Sequence, residues 1–145
     1  MKEKLKSESQ SRWYLTTILM VLTIENVQRK IVHKNLHLIQ AESDDVAYDK
    51  AIKLGNDSET SYLNSKNQSV NISFYGLAEL EETTEFDIYD GVELRFDEFE
   101  NLSSAELKSF VPLKKDLSVF SFRKSILKEN QLDYGSKEVR KLVRK

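Results

Sequence analysis

Residues 12–25, RWYLTTILMVLTIE, form the most apolar run of the chain, and β-branched and aromatic side chains dominate it. Both alternation registers are apolar: Trp13, Leu15, Leu19 and Val21 on one, Ile18, Met20, Leu22 and Ile24 on the other. This pattern predicts a strand buried on both faces. The polar stretch Glu25–Arg29 offers a turn, and residues 30–41 predict a second strand with Val32, Leu36 and Leu38 on one face. So short a connection implies an antiparallel hairpin.

The period then changes. Over 43–55, Val46, Ala47, Ala51 and Leu54 recur at helical spacing, behind a candidate N-cap at Ser43 and acidic residues Asp44 and Asp45 in the first turn. Gly55 is placed to end this helix in the left-handed conformation. Residues 56–69 are rich in Asn, Asp and Ser and predict a loop. Residues 70–81 predict a third strand, with Val70, Ile72, Phe74, Ala78 and Leu80 sharing a face. Alternation fails around Asp90-Gly91, which has the composition of a tight turn. The reading here is an irregular loop over 83–90 and a fourth strand over 91–99. Ser103 and Glu106 have capping-box spacing and Leu102 and Leu107 hydrophobic-staple spacing, so a helix begins at Ser103. Pro112 keeps it short. Residues 116–122, DLSVFSF, read as an extended segment packing back onto the sheet, and Val139, Leu142 and Val143 can line a short helix near the C-terminus.

These elements predict an α+β fold: an antiparallel sheet of about four strands, order ββαββα, with one main helix packed across a face. Residues 1–11 read as a polar N-terminal arm, 12–122 as a single domain and 123–145 as a basic C-terminal tail.

Composition narrows the function classes. The chain has 145 residues, 22 basic and 24 acidic, and a net charge of −2. That total argues against bulk coating of nucleic acid. The absence of cysteine excludes a disulfide framework, thiolate metal sites and cysteine catalysis. No signal-peptide pattern or membrane-length apolar stretch is present, so the expectation is a soluble, cytoplasmic protein with no membrane partner.

Catalytic signatures are missing as well. There is no Gly-x-Ser-x-Gly elbow and no Gly-rich phosphate loop. On a strand, His33 and His37 stand about 13 Å apart, too far to share a metal, so they read as a solvated strand face. Trp13 and Tyr14 have the chemistry to stack a ligand, but they open an apolar strand and Trp13 reads as core. No catalytic residue, cofactor or metal ligand is assigned.

Charge is strongly segregated. Residues 79–106 hold eleven acids against the single Arg95, a net charge of −10. Residues 123–145 carry a net charge of +5. Three readings of the acidic stretch stay open: a surface that steers a basic partner, a carboxylate cluster for a divalent metal, and a solvated edge that discourages strand-to-strand aggregation. The basic tail has three readings too: it touches phosphates, it pairs with the chain's own acidic face, or it is a solvated helix.

The order of motifs resembles a known family. Arg12-Trp13-Tyr14-Leu15 opens a strand, and Asn35-Leu36-His37-Leu38-Ile39-Gln40-Ala41 leads into Ser43-Asp44-Asp45-Val46-Ala47-Tyr48-Asp49-Lys50-Ala51. Phe74-Tyr75-Gly76-Leu77 and Asp90-Gly91-Val92-Glu93-Leu94 follow. Together they resemble the small bacterial domain family catalogued as domain of unknown function 4288, over about residues 12–99, with a looser echo from Val111 to Phe120. The resemblance implies a bacterial, cytoplasmic protein of this fold and carries over no site residues.

The first functional reading is a non-enzymatic protein-interaction domain, immunity- or antitoxin-like in size and charge. It would bind a basic protein partner through Glu81, Glu82, Glu85, Asp87, Asp90, Glu93, Asp97, Glu98 and Glu100. The alternative is nucleic-acid binding through Lys137, Arg140, Lys141, Arg144 and Lys145. A metal-dependent enzyme using carboxylates such as Asp87 and Asp97 is the remote third. Oligomeric state is left open.

Overall fold

A computed structural model describes residues 11–120 and 132–136. The architecture is α+β. Strands β1 (Arg12–Ile24) and β2 (Ile31–Ala41) form an antiparallel hairpin, followed by helix α1 (Asp44–Asp57) and strands β3 (Thr60–Leu63) and β4 (Ser69–Glu82). The four strands make one antiparallel sheet in the order β2-β1-β4-β3, so β1 and β4 lie inside and β2 and β3 are the edges.

The chain divides into two compact units. One runs up to Arg95 and resumes at Tyr134, and the other is Phe96–Asp133. The sheet unit builds its core on one face of β1. Tyr14, Thr16, Ile18, Met20, Leu22 and Ile24 are all buried, while the opposite register is half-buried except for Leu15. The expectation of a strand buried on both faces therefore holds for one face and, on the other, only at Leu15. Helix α1 packs Ala47 against Tyr14 and Ala41 and Leu54 against the Ile18–Met20–Leu22 cluster, while Val32, Leu36 and Leu38 of β2 are exposed. The core reading of Trp13 is also corrected: Trp13 is half-buried, and its neighbour Tyr14 is the core aromatic.

Ser43 caps α1 by accepting from the Val46 N–H at 3.2 Å. The buried stripe is Ala47, Ala51 and Gly55, and Val46 is exposed. Gly55 does not end the helix, which runs on to Asp57. Its role is close approach, since the Phe74 ring lies where a Gly55 Cβ would stand.

The fourth strand proposed over 91–99 is absent. Strand β3, within the stretch read as a loop, completes the sheet instead. A fully buried Asn64 makes that short strand viable. Its Oδ1 accepts from the N–H groups of Lys66 and Gln68, closing a tight β3–β4 hairpin. Strand β4 carries two register shifts against β1, at Tyr75 and Ala78. Each extra residue rotates the pattern, so Leu77 rather than Ala78 joins Ile72 and Phe74 against the core.

Tyr134 returns to the sheet unit from the region read as a basic tail. It packs with the Ile18–Met20–Leu22 cluster, lies edge-on to His33 at a centroid distance of 5.1 Å, and accepts the Tyr62 hydroxyl at its carbonyl.

In the second unit, helix α2 (Ser104–Ser109) starts with both halves of a capping box. The Glu106 N–H donates to Ser103 Oγ at 3.1 Å, and the Ser103 N–H donates to Glu106 Oε2 at 2.7 Å. Those hydrogen bonds hold the Glu106 carboxyl below its ordinary range. A 3-10 turn follows at Lys114–Asp116 and residues 118–120 are helical, so the extended reading of 116–122 fails where the structure describes it. None of residues 96–120 is buried.

Candidate interaction surface

The end of β4 sets up the most chemically distinctive surface of the sheet unit. The Thr83 N–H donates to the Trp13 carbonyl at 3.0 Å, which extends the β1–β4 ladder by one step. The chain then leaves the sheet and returns at Leu94, whose carbonyl accepts from the Thr84 N–H at 3.2 Å. The loop between them turns at Tyr89–Val92, closed by the Val92 N–H on the Tyr89 carbonyl at 3.0 Å. Gly91 has φ +85° there, a left-handed conformation that favours glycine at this position of a turn. Val92 and Leu94 are half-buried and anchor the returning limb.

The outgoing limb is different. Glu85-Phe86-Asp87-Ile88-Tyr89-Asp90 alternates acids with large apolar side chains, and all six residues are exposed. Phe86 is 60% exposed, Ile88 41% and Tyr89 58%. Beside the limb, a small cleft is lined by Arg12, Trp13, Glu82, Thr84 and Phe86.

The sequence-selected acids fall in different settings. Glu81 lies 3.5 Å from Arg95, and Glu82 lies 2.8 Å from Arg12. Glu85, Asp87, Asp90 and Glu93 are exposed on the loop. Asp97, Glu98 and Glu100 belong to the second unit. Lys137, Arg140, Lys141, Arg144 and Lys145 lie outside the described residues. Phe86, Ile88 and Tyr89 carry no site role in the sequence reading, because their apolar spacing there bears on the choice between strand and loop and does not distinguish a binding surface. The signal that would have found them is the interleaving of acids with Phe86, Ile88 and Tyr89 from Glu85 to Asp90.

His33 and His37 sit on β2 opposite Met20 and Thr16. Among the described residues no cluster of three or more His, Asp or Glu side chains is placed to hold a metal. Tyr14 is the strongly perturbed titratable group. Burial first, and then its 2.7 Å hydrogen bond to Asp44, push its phenol up to about 12. The hydroxyl faces the first residue of α1, so this is a tether between strand and helix.

A family model described as Domain of unknown function (DUF4288) matches residues 13–95. The chain belongs to that family. The DUF4288 match ends at Arg95, where the first segment of the sheet unit ends, so it takes in the acidic–aromatic loop and leaves out residues 96–133, with the echo at Val111–Phe120, and the returning Tyr134. No curated protein and no solved structure matches the chain. Among the described residues, no helix is long and apolar enough to cross a membrane.

Proposed function

We propose that this DUF4288 chain is a non-enzymatic, intracellular protein-interaction domain, immunity- or antitoxin-like, that binds a basic partner through the loop Glu85–Glu93. The observation that carries the reading is the exposure of Phe86, Ile88 and Tyr89 between acids on a loop tied down at both ends. Large side chains held in water on a positioned loop gain free energy when a partner covers them. Interface energy concentrates in such aromatic anchors, while surrounding charges mainly raise the association rate. Glu85, Asp87, Asp90 and Glu93 supply that charge.

The test is affinity capture of the tagged chain from the source organism's lysate at low and at moderate salt. A basic protein should be recovered, and more of it at low salt. Phe86→Ala with Tyr89→Ala should weaken its binding by about 2 kcal/mol or more. Reversal of Glu85, Asp87 and Asp90 to Lys should abolish the salt-sensitive part. Glu81 and Glu82 are unsuitable for reversal because each already faces an arginine. Equal recovery by the reversed and native chains, or no specific protein with either, refutes the reading.

A further inference from the structure

The outer edge of β2 carries few of the usual protections. Its register with β1 is unbroken over all eleven residues, it contains no proline, and Lys34 is its single charged residue. Natural sheets blunt exposed edges with bulges, prolines or several charges, because an open ladder pairs with other strands. Here, among the described residues, no strand pairs with that edge. The direction of its free groups follows from the ladder. Trp13 turns its carbonyl toward Thr83 on the β4 side, and Trp13 stands opposite Gln40. Alternate residues address alternate neighbours in an antiparallel sheet. Val32, Lys34, Leu36, Leu38 and Gln40 therefore direct their backbone groups outward.

The edge also reads nearly the same from both ends. Ile31-Val32-His33-Lys34-Asn35-Leu36-His37-Leu38-Ile39 is symmetric about Asn35: isoleucine matches isoleucine, valine leucine, histidine histidine and lysine leucine. Antiparallel pairing of two copies about Asn35 sets Val32 against the second copy's Leu38, and Lys34 against its Leu36. No lysine faces a lysine directly. Val32 and Leu36, 57% and 54% exposed, gain cross-strand apolar neighbours. Lys50 favours this register. Its Nζ donates to the Gln40 carbonyl at 2.6 Å, so one of that oxygen's two lone pairs is already taken. A register centred on Leu36 would need the Gln40 carbonyl for Val32, whereas the one centred on Asn35 uses only Val32, Lys34, Leu36 and Leu38.

We propose that this edge is the interface for a second copy of the chain, joining two sheets into one across a two-fold axis at Asn35. The proposal is independent of the acidic loop. About nine residues a side is smaller than a standard interface, so the dissociation constant is on the order of tens of micromolar.

Sedimentation of the full chain across that concentration range tests it, with circular dichroism to confirm that each variant is folded. Leu36→Glu places a carboxylate opposite Lys34, and Leu36→Lys places lysine opposite lysine. The Glu variant should dimerise about tenfold or more tighter than the Lys variant. In the register centred on Leu36, residue 36 faces its own copy and both variants would repel. Asn35→Cys gives a chain with one cysteine, and its two copies would face each other with Cα atoms about 4.5 Å apart, within disulfide reach. Oxidation should link this variant far faster than Tyr75→Cys, whose exposed site lies on β4. A native chain that stays monomeric, Glu and Lys variants that behave alike, or Asn35→Cys linking no faster than Tyr75→Cys overturns the proposal. The first outcome would leave the edge to an extended segment of another protein.

Discussion

Tyr14→Phe tests whether the tie between β1 and α1 stabilises the sheet unit. The Tyr14 side chain is buried, and its hydroxyl donates to Asp44 Oδ1 at 2.7 Å. A hydrogen bond to a charged group contributes about 1.5–3 kcal/mol. Asp44 is itself exposed, so water replaces part of what the phenol gave, and the lower end applies. We expect a loss of about 1.5 kcal/mol, or a fall in Tm on the order of 5 °C. Asp44→Ala removes the acceptor and leaves the hydroxyl buried without it. A cycle of the two substitutions should show a coupling of about 1 kcal/mol. The pH dependence has a fixed sign. The folded phenol, at about 12, titrates above a free tyrosine at about 10. Its contribution is therefore present in full below about pH 10 and lost as pH rises through about 12. Urea titrations of native and variant chains should give a gap that is flat below about pH 10 and narrows above it. Unchanged stability at neutral pH, additive single losses, or a gap that widens with pH would each refute the reasoning.

Gly55→Ala raises helix propensity but drives a methyl into the Phe74 ring, so a net loss of about 1–2 kcal/mol is expected by urea denaturation, and adding Phe74→Leu should recover much of it. Asn64→Ala leaves the Lys66 and Gln68 N–H groups without their buried acceptor. It should cost about 2–4 kcal/mol, and hydrogen exchange should accelerate first at those two amides.

Fold and surface were legible to different depths, for separable reasons. The β1–β2 hairpin was readable because its apolar positions and its polar break both obey local rules. The capping box at Ser103 was readable because two side chains and two backbone donors fix their own spacing. Strand β3 was not, since Thr60–Leu63 is short and polar and its pairing rests on Asn64, whose burial no periodicity reveals. The face of β4 was misread at Ala78 because a bulge adds a residue without leaving a mark in the pattern. Gly55 was misread because a glycine used for close approach looks the same as one used for a left-handed turn. The stretch 91–99 alternates well enough for a strand, yet Val92 and Leu94 serve as anchors of a returning loop limb. Of the candidate surface, the acids were visible and their division was not, because Arg12 reaches Glu82 from seventy residues away.

That division bears on why the acids are there. Edge protection requires acids on an edge strand. The edges are β2, whose single charged residue is Lys34, and β3, which carries none, while β4, home to Glu79, Glu81 and Glu82, is an inner strand. Glu85, Asp87, Asp90 and Glu93 lie on a loop, where no ladder needs guarding. Protection from water does not account for them either, since the acids alternate with Phe86, Ile88 and Tyr89 instead of replacing them. A loop evolving only for solubility would shed those three side chains, each of which leaves apolar surface in water. A loop that must attract a basic surface and then hold it needs both kinds: charge acts at long range on the encounter, and apolar area acts at contact on the lifetime of the complex. Charge reversal should therefore change the association rate and its salt dependence, and truncation of Phe86 and Tyr89 should change the dissociation rate. The two classes of variant separate in a kinetic binding experiment even where their equilibrium effects are equal.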